Sequence, residues 1–323
     1  MAKIYITRQI PDLAINMLRE AGHEVDVSTK DGILTRDELL TALKAKSYEA
    51  VLPLLTDKIN AEVFDTVPTA KIFANFAVGY DNIDLAEAVK RGVFITNTPA
   101  VSTSQSVAEH ALALIMAVGR RIVESDQFIR DGKYVGWAPM IFITPDLIGR
   151  TLGIIGAGRI GSRLAYHAAR GLDMKVVYYD IRRDEQLEKD FGAKYYDKVE
   201  DLLREADYIS IHVNLDDSTR HLINKERLNI MKPTAVLVNT SRGPVIDEAA
   251  LVEALQNKKI AGAGLDVYEH EPALAPGLAA LQNVVLTPHI ASATLETRND
   301  MAKMAAENVI AALSGQVPSN LVK

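Results

Sequence analysis

The hexapeptide Gly156-Ala157-Gly158-Arg159-Ile160-Gly161 constrains this chain more than any other feature. The pattern G-x-G-x-x-G is weak alone. Here it follows the apolar run at 151–155 and precedes the helix-forming stretch 162–168. The next apolar strand ends at Asp180, about 20 residues past the last glycine, the spacing of a dinucleotide-binding βαβ unit. Gly156 permits the tight turn, Gly158 lets backbone approach a pyrophosphate, and Gly161 lets helix and strand pack closely. The helix N-terminus offers unpaired N–H groups and the positive dipole end to phosphate. Asp180 would accept hydrogen bonds from the adenosine ribose and repel a 2′-phosphate. NAD is therefore expected, with NADP as the weaker alternative through Arg182 and Arg183.

A length of 323 residues exceeds the roughly 250–300 at which one core stops growing, so two domains are expected. Short apolar runs alternate with helical stretches, the pattern of a parallel α/β sheet. Before residue 100, runs at 4–6, 24–27, 50–52, 71–75 and 93–95 read as strands. Residues 12–20, 35–45 and 85–91 read as helices. One long helix is expected over residues 104–130, from the spacing of Val107, Ala111, Leu114, Ile115, Val118 and Ile122. A second series opens at 151, with strands near 175–179, 208–213, 235–239, 261–267 and 284–286. The last helix, near 294–314, follows a completed sheet and should return to the first domain. The expected division is 1–100 with 294–323, and 101–293.

Composition excludes several classes. With no cysteine there is no disulfide scaffold, thiolate zinc site or cysteine nucleophile. A net charge of −6 without basic runs argues against nucleic acid. The stretch 111–119 is far short of the roughly 20 apolar residues that span a bilayer. The N-terminus reads as a strand rather than a signal peptide, so a cytoplasmic protein is expected.

Three segments at ends of late strands carry polar residues out of place in a core: 238–243, 264–272 and 286–291. At these residues the chain resembles the D-2-hydroxyacid dehydrogenases. The likeness also covers Ala77-Val78-Gly79-Tyr80-Asp81-Asn82-Ile83-Asp84, Asn97-Thr98-Pro99, Val107-Ala108-Glu109-His110 and the glycine fingerprint. Within that family the chain is most similar to the glyoxylate/hydroxypyruvate reductase branch. The resemblance implies an α/β fold of two doubly wound parallel-sheet domains. One is a Rossmann-like coenzyme domain and the other a discontinuous, flavodoxin-like substrate domain. It implies a homodimer, a small 2-oxo or 2-hydroxy acid as substrate, and Arg242, Glu271 and His289 as catalytic trio. It places Val78 and Gly79 N–H groups on the substrate carboxylate, with Arg242 and His289 also touching substrate. Ser104, Val213, Asn214, Thr240, Ser241, Arg242, Asp266 and His289 join the glycine motif around the cofactor, Asp266 meeting the nicotinamide carboxamide.

The chemistry accounts for these residue types. Reducing a 2-oxo acid needs a cation for the carboxylate, a proton for the carbonyl oxygen and a hydride. Arg242 offers a planar, permanently charged fork. A histidine such as His289 holds and releases a proton near neutrality, and an adjacent glutamate orients its ring. Glu269 competes for that place; the family motif sets the glutamate directly before proline, which is Glu271. No metal is expected, and His110, His167, His212 and His221 are read as packing, capping or surface residues.

Three positions depart from the family pattern: Ser104 for the usual Thr, Asn214 for Pro, and Ile141 for the second aromatic of the Trp137 loop. Ile141 leaves apolar room, so bulkier 2-oxo acids enter the expected substrate range. The alternative function is that of a dehydrogenase-like, NADH-sensing corepressor or scaffold acting through protein binding. A phosphoglycerate dehydrogenase is disfavoured by the lack of room for a regulatory domain after the last helix. A formate dehydrogenase is disfavoured by the lack of its extra motif.

Overall fold

Residues 1–322 are described in the computed structural model. Alternating side chains along short apolar runs give every central strand two buried faces, the requirement of a parallel sheet covered by helices on both sides. The chain divides into two compact units. One comprises Met1–Thr103 and the chain from Ala293 onward; the other is Ser104–Ser292.

The first unit holds β1 (Lys3–Ile6), α1 (Asp12–Glu20), β2 (Glu24–Val27), α2 (Arg36–Lys44), β3 (Ala50–Leu52), α3 (Ala61–Thr66), β4 (Ile72–Ala74), α4 (Leu85–Arg91) and β5 (Phe94–Thr96). The strands form a parallel sheet in the order β2-β1-β3-β4-β5. Ile4, Ile6, Leu52 and Ile72 point to one face, where they pack with Ala14, Leu18, Met301, Ala305 and Val309. Tyr5, Val51 and Phe73 point to the other, against Leu39, Leu43, Val63 and Phe64. Three of those first-face partners lie on the last helix, α12 (Leu295–Leu313), which therefore completes this unit.

α5 (Val101–Gly119) crosses from one unit to the other in its first turn, and α6 (Ile122–Arg130) follows. The single helix expected over 104–130 is thus two. The break falls at Arg121, which has a left-handed φ of 51°. Its guanidinium pairs with Glu124 at 2.6 Å and lies 4.8 Å from the Phe142 ring centre. Just before it, a side chain on Gly119 would meet the Tyr208 hydroxyl at 2.9 Å.

The second unit continues with β6 (Thr151–Ile155), α7 (Arg159–Leu172), β7 (Lys175–Tyr179), α8 (Glu185–Phe191), β8 (Lys194–Tyr196), α9 (Val199–Glu205) and β9 (Tyr208–Ile211). Then come α10 (Lys225–Ile230), β10 (Val236–Asn239), α11 (Glu248–Gln256), β11 (Gly262–Leu265) and β12 (Val284–Leu286). Its parallel sheet has the order β12-β11-β10-β9-β6-β7-β8. The order reverses between β6 and β9. Beyond the carboxyl ends of strands at such a switch point, open α/β sheets bind ligands.

Candidate active site

The turn after β6 is built around its glycines. Gly156 has φ 94°, and a methyl group there would lie 2.7 Å from the His212 carbonyl oxygen. At Gly161 a methyl would lie 2.1 Å from the Gly156 carbonyl oxygen. Both glycines are thus required by the protein's own packing. Gly158 is different: a methyl there meets no described atom within 4 Å. The fold leaves space above Gly158, where a bound phosphate would need it.

α8, α10 and α11 each begin on a side chain that accepts first-turn N–H groups, from Asp184, Asn224 and Asp247. α7 begins on Gly158, which offers none. Its first-turn N–H groups suit an anion, and its positive dipole end adds to the attraction. The Asp180 carboxylate lies beside this turn and accepts the Ala157 N–H at 2.7 Å and the Arg182 N–H at 3.2 Å. Arg183 is taken up by Glu188 at 2.7 Å, which raises its pKa further. Of the two arginines only Arg182 keeps an exposed side chain without a described partner.

Two polar atoms at the ends of β9 and β10 are shielded yet unpartnered: His212 Nδ1 and the Thr240 hydroxyl. The His212 Nε2 meets Ser210 Oγ at 2.9 Å, and burial pushes its pKa down to about 3. Unsatisfied buried polar atoms are costly and call for a partner. Together with Gly158 and α7 they fit a dinucleotide along this edge. Ala157, Arg159 and Ile160 belong to the same turn. Val213 and Asn214 follow β9, the Asn214 carbonyl accepting the Thr219 hydroxyl at 2.7 Å. Ser104 lies half-buried in the first turn of α5.

Arg242 is held by the loop after β10. Asn239, only 1% exposed, accepts the Ser241 N–H and hydroxyl on its Oδ1 and donates from Nδ2 to the Arg242 carbonyl at 2.9 Å. Arg242 Nη1 donates to the Ser241 carbonyl at 2.9 Å. Next to it, Gly243 touches the loop after β11: a methyl there would lie 1.8 Å from the Tyr268 carbonyl oxygen. The sequence pattern did not single out Asn239 or Gly243, although both sit inside the motif it quoted.

Glu271 and His289 meet. His289 Nδ1 lies 3.0 Å from Glu271 Oε2, while Glu271 Oε1 accepts the Tyr268 N–H at 3.1 Å. Burial pushes the Glu271 carboxyl up. The His289 hydrogen bond and charge, the Tyr268 N–H and the Arg242 charge outweigh it, so the pKa is net lowered. Glu269 is engaged elsewhere. It contacts His221 Nε2 at 2.6 Å and accepts the Glu248 N–H, while Glu248 accepts its N–H in return. Of the two glutamates, only Glu271 contacts His289.

His289 has a left-handed φ of 56°, uncommon outside glycine, and is held there by its neighbours. Its N–H donates to the Asp266 carbonyl at 2.9 Å. The Asp266 side chain is wholly buried and accepts Thr287 Oγ1, Ile290 N and Ala291 N within 2.8 Å. The carboxylate expected to meet the nicotinamide carboxamide is thus already engaged on both oxygens, and it fixes the loop that carries His289. His110 Nε2 adds a contact to Thr287 Oγ1 at 3.0 Å.

In the first unit, Val78 and Gly79 lie half-exposed in the loop after β4. Asn97 Nδ2 donates to the Val78 carbonyl at 2.7 Å and Asn75 Nδ2 to the Gly79 carbonyl at 2.9 Å. Among the described residues no group of three His, Asp or Glu side chains is arranged to hold a metal ion. No helix among them is long and apolar enough to cross a membrane.

Residues 112–291 match the family described as D-isomer specific 2-hydroxyacid dehydrogenase, NAD binding domain. A glyoxylate reductase of Thermococcus litoralis is 48% identical over 99% of this chain and 96% of its own length. That of Korarchaeum cryptofilum is 47% identical over 99% and 95%. Among solved structures, a Thermus thermophilus protein superposes with a TM-score of 0.92 at 41% identity, covering 99% of this chain and all of its own. An NADPH-dependent glyoxylate/hydroxypyruvate reductase of Sinorhizobium meliloti, in complex with NADP and malonate, gives a TM-score of 0.84 at 32% identity. It covers 99% of this chain and 96% of its own.

Proposed function

The chain belongs to the D-isomer specific 2-hydroxyacid dehydrogenase family and is an NAD-dependent oxidoreductase; on that premise we propose that it reduces glyoxylate to glycolate, and hydroxypyruvate and related 2-oxo acids to D-2-hydroxy acids. One observation carries the chemical assignment: the hydrogen bond between Glu271 and His289, beside Arg242, on the loops that follow β10, β11 and β12.

The glycine turn, α7 and Asp180 bind the dinucleotide in this reading, and Ser104, Val213, Asn214, Thr240 and Ser241 line it. Bound NADH supplies the hydride. Arg242 forks onto the substrate carboxylate. Glu271 holds His289 by Nδ1, which leaves Nε2 as the nitrogen that gives its proton to the carbonyl oxygen. The Glu271 carboxylate orients the ring. In the reverse direction Nε2 takes the hydroxyl proton. The first unit is the substrate-binding domain, and its Val78 and Gly79 N–H groups receive the carboxylate.

Asp180 sets the preference for NADH, with Arg182 the route by which NADPH is tolerated. The protein works in the cytoplasm as a homodimer. Val135, Trp137 and Met140, 99%, 82% and 77% exposed, form an apolar stretch that a second copy would cover. Ile141 widens the substrate range toward bulkier apolar side chains, each methylene being worth about 1 kcal/mol. An Ile141→Trp variant should then lose phenylpyruvate reduction relative to glyoxylate; an unchanged ratio removes Ile141 from the specificity argument.

A spectrophotometric panel tests the whole reading: NADH and NADPH, each with glyoxylate, hydroxypyruvate, pyruvate and phenylpyruvate. NADH consumption with the small 2-oxo acids is expected. No consumption with any of the four refutes it.

A further inference from the structure

The loop after β4 has a feature that its sequence does not announce. Three successive carbonyls are each taken by a donor of the same unit. Thr98 N–H donates to Ala77 O at 2.9 Å, Asn97 Nδ2 to Val78 O at 2.7 Å, and Asn75 Nδ2 to Gly79 O at 2.9 Å. In a trans peptide the C=O and N–H point in opposite directions. Tying down those carbonyls therefore turns the N–H groups of Val78, Gly79 and Tyr80 away from their clamps. None of the three donates to another described residue, and the loop grows more exposed from Ala77 to Tyr80. Three successive N–H donors left without a partner are available to an anion.

The Asn75 clamp is itself fixed. Asn75 is wholly buried at the end of β4. Its Oδ1 accepts Asn82 Nδ2 at 3.2 Å, so its Nδ2 must be the end that faces Gly79. Asn82 in turn donates to the carbonyls of Leu54 and Asp57. Asp57, only 5% exposed, accepts the Leu54 N–H at 2.8 Å and the Thr7 hydroxyl. The whole network lies at the carboxyl ends of β1, β3, β4 and β5. The buried Asn75 amide, engaged at both ends, cannot rotate without leaving polar groups unpaired.

We propose that Asn75 and Asn97 are positioning residues that hold an anion-binding loop open, and that the Tyr80 N–H is a third donor to a carboxylate beside those of Val78 and Gly79. The carboxylate class rests on the proposed 2-oxo acid reduction. The clamp does not: it is a property of the loop. Because a carboxylate is held alike before and during hydride transfer, losing the clamp weakens substrate binding rather than turnover.

Two measurements decide. The first is a titration of the parent, labelled with 15N-glycine and 15N-tyrosine, with malonate as probe. The Gly79 and Tyr80 amide signals should move, and the Gly79 signal should stay still in Asn97→Ala, which releases the Val78 carbonyl. Unmoved signals in the parent overturn the proposal. The second is steady-state kinetics of Asn97→Ala with glyoxylate. KM should rise about 10- to 100-fold, the scale of a misdirected hydrogen bond to a charge. Turnover and NADH affinity should stay within about threefold of the parent. Unchanged KM, or a loss confined to turnover, overturns the proposal. A parent that reduces no 2-oxo acid sinks the reaction and not the clamp, which the titration then judges. Should Asn97→Ala fail to fold, the parent titration judges alone.

Discussion

Gly243 is the residue through which a single methyl group should disable the enzyme. A Cβ at this position would lie 1.8 Å from the Tyr268 carbonyl oxygen, 1.9 Å from its carbon and 2.5 Å from Glu269 N. Those are backbone atoms, so no flexible side chain can give way. Ordinary contact begins near 3.4 Å, so Gly243→Ala must separate the two loops by about 1.5 Å. One loop carries Arg242 and the other Glu271. A misplacement of about 1 Å in reacting groups costs on the order of 10²-fold in rate. Overpacking itself costs about 1–3 kcal/mol, which a two-unit chain of this size can survive. The assay is kcat/KM for glyoxylate, with NADH affinity and thermal unfolding measured alongside. A loss near 10²-fold with NADH binding retained is expected. Gly158→Ala is the control with the opposite signature. No described atom lies within 4 Å of its new methyl, so folding should be unaffected while NADH affinity falls. A Gly243→Ala enzyme with the parent's efficiency would refute the claim that these loops are locked together by that contact.

Asp180→Ser should narrow or invert the preference for NADH over NADPH, read as the ratio of catalytic efficiencies; equal use of both cofactors by the parent removes Asp180 as discriminator. His212 makes stability depend on pH. Its folded pKa of about 3 lies below the ordinary 6.5, so the unfolded chain binds more protons between those values. Its contribution is therefore harmless above about pH 6.5 and destabilising as pH falls toward 3, with a slope of at most about 1.4 kcal/mol per pH unit. Thermal unfolding of His212→Gln should be less acid-sensitive than that of the parent, and equal slopes contradict the assignment.

What the sequence made legible was local. The strand–turn–helix at 151–168 is one contiguous stretch, and Gly156 and Gly161 stand where a side chain would strike backbone. The run 12–20 is a helix over the same residues, and the last helix packs in the first unit. What escaped depends on tertiary contacts. β8 is only Lys194-Tyr195-Tyr196 at a sheet edge, too short for an alternation to show. α3 spans six residues between turns and was not expected. The break at Arg121 relies on Glu124 and Phe142, one of them distant in sequence. Glu269 and Glu271 are indistinguishable by spacing, and only the placement of His221 and His289 separates them. Asn75 and Asn97 read as ordinary polar residues at strand ends until their amides are seen on the carbonyls of Val78 and Gly79. The engagement of both Asp266 oxygens was equally invisible in sequence.

The most direct test of the central claim is a single comparison with hydroxypyruvate, whose reduction creates a stereocentre. Parent enzyme and His289→Gln are each mixed with NADH and hydroxypyruvate, NADH loss is followed by absorbance, and the product is resolved on a chiral column. The parent should consume one NADH per D-hydroxy acid formed. In His289→Gln turnover should fall by about 10²–10⁴-fold, with NADH binding intact. Turnover by His289→Gln equal to the parent's, or an L-hydroxy acid product, would contradict it.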